Sequence, residues 1–428
     1  MTILVKNGRL IDPKNDRDEQ TDILIEGSTI KKIAAGISAG SADEVIDATG
    51  LIVAPGLIDV HAHLREPGYE WKETIRTGTA AAARGGFTSV VCMANTDPIN
   101  DNKSVTEYIM KKARAEGAVR VFPCGSVTKG LKGEDLSEMG EMRDAGIIAI
   151  SDDGKSVRNA RLFTKAMEYS KLFGLAVICH CEDETLSQGF VHEGSASLLS
   201  GLDSVPAIAE EIVVQRDIKI AKYVDAPVHI THISTAGTVA IIRADKGAYG
   251  KLTCDTCPHY FTLSDEATLG YDTSTKVNPP LRSRSDMAAI KEGLRDGTID
   301  IIATDHAPHD VNSKDVEFNL ASFGISGLET AFSLSLALVR EGVLNLKELL
   351  RKFTENPARL LNLPYGEIAP GKPADLIIFT DQTEWTVDRN TFLSKGQNTP
   401  FHGFKMKGKN LLTIVDGNIV YRDADFKS

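Results

Sequence analysis

Eight short apolar runs alternate with amphipathic segments through the middle of this chain, and that alternation constrains the fold more than any other feature. The runs are 57–60, 88–93, 120–123, 147–150, 176–179, 227–231, 251–254 and 299–303. Segments between them carry apolar residues at helical spacing, at 73–84, 104–116, 160–173, 207–223 and 284–295. Strands that alternate with helices pair in parallel, so eight such units predict an α/β chain with a closed (β/α)8 TIM barrel.

The two ends of the chain have a different texture. Short alternating segments separated by turn residues occur at 3–10, 22–26 and 29–34, and again at 374–380 and 411–421. Neither end is long enough to form a good core alone, so we expect both to pair into one small β-sandwich. The expected division is 1–53 and 365–428 for this module, with the barrel at 54–364.

The amino-acid composition limits the kinds of partner that the protein can bind. The formal net charge of -11 argues against a nucleic-acid or anionic-membrane binder, because those proteins meet phosphate with basic patches. The first residues lack a basic segment followed by an apolar stretch, and no apolar run approaches the length of a membrane span. We therefore expect a cytoplasmic protein that acts on small molecules.

The six cysteines lie mostly inside apolar strand-like runs, which favours reduced core thiols over a disulfide framework. Cys254 and Cys257 form a single C-x-x-C. One such pair is weak evidence for zinc, and His259 alone does not complete a four-ligand set.

Polar residues stand where the barrel strands end, which is where barrel enzymes place their chemistry. These residues are His61 and His63 after the first strand, Asp152 and Asp153 after the fourth, His180 after the fifth, His232 after the sixth and Asp305 after the eighth. Histidines two apart on a strand project from one face and can hold one metal ion. Four imidazoles and at least two carboxylates at one mouth predict a two-metal hydrolytic site.

Strand parity separates some neighbours. Asp152 and Asp153 cannot both point inward on a regular strand, and parity alone does not choose between them. If His232 is a ligand, the odd spacing turns His229 toward the helices. For His229 and His306 we expect hydrogen-bonded histidines of the core or beside the ligands, and for His192 and His402 ordinary loop or surface positions.

Several strings of the sequence together resemble the bacterial class I dihydroorotases of the amidohydrolase superfamily. They are Asp59 to Gly68, Met93 to Thr96, Ser151 to Gly154, His180 to Asp183, Val277 to Arg282 and Ala303 to His309. The resemblance spans nearly the whole chain. Its closing segments, 356–359 and 371–376, are shared widely in the superfamily and say little about substrate. The residues specific to dihydroorotases are Arg65, Asn95, Asn278 and His309.

The resemblance implies a metal-dependent hydrolase barrel with two Zn²⁺ ions, although His and Asp ligands also accept cobalt, manganese or iron. It puts His61, His63 and Asp305 on one ion and His180 and His232 on the other, with Asp153 between them. Related hydrolases bridge their metals with a carboxylated lysine. Residues 148–153 offer no lysine before Lys155, which favours an aspartate-bridged class I site.

The reaction that the resemblance implies is the reversible cyclisation of N-carbamoyl-L-aspartate to L-dihydroorotate in pyrimidine biosynthesis. Asp305 would then act as general base and acid. For substrate binding, Arg65 suits the free carboxylate because a guanidinium binds carboxylates through paired hydrogen bonds. Further substrate contacts would come from the side chains of Asn95, Asn278 and His309. The backbone of Phe323 and Gly324 would also contact the substrate.

The segment 310–326 is polar and glycine-containing, and we expect a mobile loop over the site. Ser322 stands where the family commonly has proline, and Ala94 likewise replaces the proline before Asn95. Neither change removes a polar group, so altered loop stiffness is expected rather than lost chemistry.

Two alternatives remain open. A hydantoinase or allantoinase would share the fold and cyclic-amide hydrolysis, although the missing lysine and the Arg65–Asn95 pair weigh against it. Some dihydroorotase-like chains have instead lost ligands and act as scaffolds for aspartate transcarbamoylase. Every ligand position is filled here, which argues against a scaffold, while an aspartate transcarbamoylase partner and a homodimer stay family-level expectations.

Overall fold

The structure, a computed structural model, describes residues 1–40 and 42–426. The N-terminal strands are β1 (Thr2–Asp12), β2 (Arg17–Glu26), β3 (Thr29–Ala34), β4 (Glu44–Asp47) and β5 (Ile52–Pro55). One edge of β1 pairs with β2, whereas β4 and β5 share the other edge. The sheet therefore branches at β1, beside a bulge between Val5 and Gly8, and its apolar side chains pack into a core of their own.

The barrel follows directly. Its first five strands are β6 (Leu57–Ala62), β7 (Phe87–Cys92), β8 (Arg120–Gly125), β9 (Ala149–Ile150) and β10 (Ala176–Cys179). Two short strands outside the barrel, β11 (Val191–His192) and β12 (Ser204–Val205), then pair with each other. The last three barrel strands are β13 (Val228–Ile230), β14 (Leu252–Thr256) and β15 (Ile301–Ile302). Within the described residues the barrel strands form one eight-stranded parallel sheet in chain order. A parallel bridge from Ala62 to His306 joins its two ends. The predicted barrel is confirmed.

Helices cover the outside of the barrel. They are α1 (Ile75–Gly85), α2 (Lys103–Glu116), α3 (Met139–Ala145), α4 (Ala160–Leu172), α5 (Ser195–Ser200), α6 (Ile208–Val224), α7 (Ala236–Lys246), α8 (Pro258–Thr262), α9 (Arg284–Arg295), α10 (Ala331–Arg340), α11 (Leu346–Phe353) and α12 (Glu355–Leu360). Polar caps fix several starts; the Ser283 hydroxyl, for example, accepts from the Asp286 backbone N–H at α9. Except in α5 and α12, their apolar faces share one core with the outward side chains of the strands. In the described part of the chain, none of these helices combines the length and apolar content that crossing a bilayer needs.

Three C-terminal strands complete the first sheet. They are β16 (Leu376–Thr386), β17 (Lys405–Val415) and β18 (Asn418–Arg422). β16 pairs antiparallel with β5, from Leu376 opposite Pro55 to Phe379 opposite Ile52. Both ends of the chain therefore build one module, as predicted.

The junction between the modules is Gly56. A Cβ at this position would lie 2.2 Å from the Thr88 side chain, so the close passage of the strands requires glycine. Since β5 belongs to the terminal sheet and β6 to the barrel, we propose that the division expected at 53 and 54 falls at this glycine.

A buried ion pair holds the two modules together. The Arg120 guanidinium, at the start of β8, pairs with Asp375 and Asp416 of the terminal module and lies 4.3 Å from the Tyr365 ring centroid. Burial raises the pKa of Asp375, and the charge of Arg120 opposes that rise. The ionised form of the Asp375 carboxylate is therefore stabilised by Arg120.

We expect Arg120→Met to lower the free energy of unfolding by about 3 kcal/mol, because it leaves the buried Asp375 carboxylate without its cation. Urea unfolding followed by circular dichroism measures the change. Arg9→Met is the matched control: Arg9 pairs with Asp18 at 2.7 Å, but the side chains are 53% and 42% exposed. That control should change stability by less than about 1 kcal/mol, and equal midpoints for the two variants would contradict the docking role.

Candidate active site

The six residues predicted as metal ligands meet at the C-terminal ends of the barrel strands. They are His61 in β6 and His63 directly after it, Asp153 after β9, His180 after β10, His232 after β13 and Asp305 after β15. All six are at most 7% exposed. Parallel strands bring their carboxyl ends to one mouth of the barrel, which is why positions so far apart in sequence converge.

Donor atoms of β6 and β15 form a first group. The Asp305 Oδ1 atom lies 3.2 Å from His63 Nε2 and 3.6 Å from His61 Nε2. These atoms lie within 4.8 Å of one another, close enough for one ion to contact all three.

A second group lies beside it and shares Asp153. The Nδ1 atom of His180 is 3.0 Å from His232 Nε2, and each of these nitrogens is 3.6 Å from Asp153 Oδ1. The same carboxylate reaches the first group, with Oδ1 3.3 Å from His61 Nε2 and Oδ2 3.5 Å from His63 Nε2. Asp153 is therefore placed to serve both groups.

Its neighbour Asp152 has a different task. The Asp152 carboxylate accepts hydrogen bonds from the backbone N–H groups of Val127 and Thr128, at 2.7 and 3.0 Å, and from the Thr128 hydroxyl. The pair of aspartates thus divides as the resemblance implies, since Asp153 faces the histidines and Asp152 ties down the loop after β8.

Unusual backbone geometry aims several of these side chains. A bulge in β6 between Asp59 and Ala62 inserts an extra residue. Arg65, His232 and Asp305 have φ angles of 62°, 41° and 43°, in the left-handed region that such residues rarely adopt. Strain of this kind concentrates at functional sites, so it supports a functional reading of this mouth.

Hydrogen bonds fix the tautomer of His61. The Thr231 hydroxyl donates to Asp255 Oδ2 at 2.9 Å, so its oxygen is left to accept from His61 Nδ1, also at 2.9 Å. In the neutral ring, His61 Nε2 then carries the lone pair. It is buried without a hydrogen-bond partner in the described residues, and it faces the carboxylates. A metal ion would satisfy this nitrogen, so the donor set fits one.

Two more histidines are oriented in the same way. His63 Nδ1 donates to Asn95 Oδ1 at 2.9 Å, and His180 Nε2 donates to Glu182 Oε2 at 3.1 Å. Each leaves its other ring nitrogen toward the donor groups. Glu182 also accepts from Asn278 Nδ2 at 3.1 Å, and sequence reasoning missed it as a site residue. The H-x-E spacing after β10 was the available signal.

His229 does not face the helices, and that expectation is wrong. Its ring lies inside the barrel, with Nε2 2.7 Å from Asp255 Oδ2 and Nδ1 2.8 Å from Thr253 Oγ1. Val228 and Ile230 instead pack among the helices. The left-handed residue His232 breaks the strand alternation, so His229 and His232 can both point inward.

The predictions for three other histidines differ in outcome. His306 is hydrogen bonded in the core, as predicted, with Nε2 3.3 Å from Glu73 Oε2 and Nδ1 accepting from the Gly327 N–H. His192 was expected to be an ordinary loop or surface residue, and this is wrong. It is 8% exposed in β11, with Nδ1 3.3 Å from Nη1 of the buried Arg282. The exposed His402 is a surface residue, as expected.

All six cysteines are free and buried, as predicted. Among the described residues, the groups of side chains that could hold a metal include neither Cys254 nor Cys257. The C-x-x-C pair is therefore part of the packed interior around β14.

The charge balance of the site favours a cation. Although burial opposes ionisation of His61, the Asp153 carboxylate raises the pKa of that imidazole to about 9. Burial also opposes ionisation of Asp305, yet the close contact with His63 and the positive charge that His61 gains when protonated lower its pKa to about 2. Both pKa shifts indicate that the carboxylates stabilise a positive charge beside them. That charge can be a proton on a histidine or a metal ion.

The residues predicted to bind substrate lie around the same mouth. Arg65 Nε donates to the Pro308 carbonyl at 3.2 Å, and its Nη2 lies 3.3 Å from His309 Nε2. His309 Nε2 donates to the Phe323 carbonyl at 2.8 Å, so that nitrogen carries the proton. Burial and the charge of Arg65 lower the pKa of His309 to about 2, which keeps the ring neutral. Gly324 follows directly, its N–H bonded to the Lys276 carbonyl.

The two predicted asparagines contact the donor groups. Asn95 bonds to His63 and also donates from Nδ2 to Asp153 Oδ2 at 3.3 Å, while Asn278 reaches His180 through Glu182. Both amides are therefore within two hydrogen bonds of the candidate metal ligands.

Comparison with known proteins agrees with this geometry. A family model described as "Dihydro-orotase-like" matches residues 50–238, and one described as "Amidohydrolase family" matches residues 285–421. A dihydroorotase from Geobacter metallireducens is 52% identical over 423 residues, which cover 99% of this chain and 100% of that protein. One from Acetivibrio thermocellus is 50% identical over 423 residues, covering 98% and 99%.

Among solved structures, the L-hydantoinase (dihydropyrimidinase) of Arthrobacter aurescens superposes with a TM-score of 0.89 at 25% identity, covering 100% of this chain and 97% of that one. The dihydropyrimidinase of Brevibacillus agri NCHU1002 gives 0.87 at 24%, covering 100% and 96%, and speaks for the fold alone. The full-length identity to dihydroorotases, together with the converging ligands, decides the membership: the chain belongs to the dihydroorotase family.

Proposed function

We propose that this protein is a dihydroorotase, which interconverts N-carbamoyl-L-aspartate and L-dihydroorotate in the synthesis of pyrimidine nucleotides. Asp153 carries the proposal, because it supplies from this chain the bridging carboxylate between two donor groups. The hydantoinases share the fold, so architecture alone does not separate the two activities. The aspartate in place of a bridging lysine and the cation of Arg65 beside the site favour dihydroorotate.

We further propose two Zn²⁺ ions. His61, His63 and Asp305 would hold one and His180 and His232 the other, with Asp153 between them. The orphaned Nε2 of His61 and the tautomers fixed by Thr231, Asn95 and Glu182 support this assignment. Such ions, when bound, lower the pKa of water and polarise a carbonyl group.

Asp305 is the residue that would move the proton. In the hydrolytic direction the ring C–N bond breaks, water adds to the carbonyl carbon, and one proton passes to the departing nitrogen. The lowered pKa of Asp305 keeps its carboxylate ionised, which is the form that accepts a proton. In the synthetic direction the same carboxyl group would return the proton as the ring closes and water leaves.

Arg65 would bind the substrate carboxylate that takes no part in bond breaking. Its guanidinium is held over the mouth by the Pro308 carbonyl. Asn95 and His309 flank it, and Asn278 and the backbone at Phe323 and Gly324 would contact the ring. Arg65 and His309 now bond to backbone carbonyls, and Asn95 and Asn278 bond to the donor groups or to Glu182, so binding would exchange those bonds for bonds to substrate.

A homodimer, an aspartate transcarbamoylase partner and a cytoplasmic location remain proposals that rest on the family alone. The donor groups and Arg65 all come from one chain, so the chemistry proposed here needs no residue from a partner.

The purified protein should hydrolyse L-dihydroorotate and leave hydantoin unchanged. Loss of the ultraviolet absorbance of dihydroorotate measures the reaction, with zinc determined on the same sample. Preference for hydantoin would assign the chain to the hydantoinase activity. Bound metal without turnover, alone and with aspartate transcarbamoylase, would favour the scaffold role.

Asp153→Asn should reduce bound zinc from two ions to one or none, because the amide removes the negative charge shared by both donor groups. Metal analysis after dialysis against a weak chelator measures it. Asp152→Asn is the matched control. It lies one residue away and bonds to Val127 and Thr128, so it should keep the metal of the wild type while lowering stability. Equal metal loss in both variants would refute the bridging role.

Arg65→Met should raise KM for L-dihydroorotate by about 10- to 100-fold, the value of a charge-assisted pair of hydrogen bonds. Zinc content should stay at the wild-type value, because Arg65 contacts Pro308 and His309 rather than the donor groups. Arg76→Met, an exposed arginine of α1, is the control. An unchanged KM in Arg65→Met would remove Arg65 from the substrate site.

A further inference from the structure

Among the described residues, the buried ammonium of Lys276 has no carboxylate partner. The residue is 1% exposed and lies just before Asn278. Burial lowers its pKa to about 8, and no carboxylate of the described residues contributes to that shift. A charge in the interior is costly unless something compensates it, so its surroundings need an explanation.

Aromatic rings and one carbonyl surround this ammonium. Nζ lies 4.4 Å from the ring centroid of Phe190, 4.5 Å from that of Phe323 and 5.8 Å from that of Phe318, and it donates to the Asn319 carbonyl at 2.9 Å. The electron-rich faces of aromatic rings attract a cation at these distances. The rings come from two segments, one before β11 and one after β15, so a single charge ties both to the segment 276–278.

The tied segments are those that carry proposed substrate contacts. The Lys276 carbonyl accepts from the Gly324 N–H at 2.8 Å, and the Phe323 carbonyl accepts from His309. A second buried ammonium, Lys314, donates to the Lys276 carbonyl at 3.4 Å and to the Ser322 carbonyl at 2.6 Å. The Ser322 N–H in turn donates to the Ser313 carbonyl, a bond that proline could not make.

We propose that Lys276 is a positioning residue for substrate binding: its ammonium, held among Phe190, Phe318 and Phe323, fixes the segment 318–324 against 276–278. His309, Gly324 and Asn278 are thereby kept at the spacing that the ring of the substrate requires. The inference rests on the proposed function. It explains why a lysine, rather than an apolar residue of similar length, occupies a dry aromatic environment, where an apolar side chain would usually be at least as stabilising.

Lys276→Met and Lys276→Arg test the proposal in the full-length, zinc-loaded protein. Methionine keeps most of the length and loses the charge, so KM for L-dihydroorotate should rise about tenfold or more, with kcat and zinc content changed far less. Arginine keeps the cation and should bring KM back to within about threefold of the wild type. Chymotrypsin should cleave the segment 318–324 faster in Lys276→Met than in wild type, without ligand.

Lys352→Met is the matched control. Lys352, on α11, is also a buried lysine and is 6% exposed. Its Nζ donates to the Ile299 carbonyl at 2.7 Å, away from the three aromatic rings. It should alter stability alone, with wild-type KM and cleavage of 318–324. A wild-type KM in Lys276→Met, or an arginine variant as impaired as the methionine variant, would overturn the proposal.

The two proposals fail separately. If the wild-type protein does not act on dihydroorotate, the proposed function falls, and the cleavage of 318–324 in Lys276→Met against Lys352→Met still decides whether Lys276 holds the segment. Equal cleavage in those two variants would show that it does not.

Discussion

The Asp153 carboxylate, buried within 3.6 Å of four imidazole nitrogens, is the interaction on which the rest of the structure depends. A buried charge is tolerated when charges and hydrogen bonds surround it from every side. The barrel provides that arrangement, because it brings the ends of distant strands to one point and closes through the Ala62–His306 bridge. Burial acts to raise the pKa of Asp153, yet the histidines hold it well below the usual range.

Two kinds of order coexist around this anion. Hydrogen bonds to side chains fix the imidazoles: Thr231 and Asp255 hold one ring and Glu182 another. Arg65 and His309, by contrast, are satisfied by backbone carbonyls at the mouth itself. The first set suits ligands that must keep one geometry, and the second suits groups that change partners when a substrate arrives.

Local patterns in the sequence predicted the barrel, the terminal module and the convergence of polar residues at the strand ends, because strand boundaries depend on near neighbours in the chain. Only the family resemblance chose Asp153 over Asp152. The same patterns failed where a single backbone angle, or a segment distant in the sequence, sets the position of a side chain. The left-handed φ of His232 turns His229 inward, and Arg282 buries His192 from 90 residues away. Such features follow from tertiary packing, which a single sequence does not display.

The pairing of β5 with β16 has a consequence for synthesis on the ribosome. β5 leaves the ribosome roughly 320 residues before the strand that covers its edge, and an uncovered edge offers unpaired N–H and C=O groups to other chains. The N-terminal strands must therefore wait, partly formed, while the whole barrel is translated. The nascent chain is most exposed to aggregation in that interval, and release of the last strands ends it.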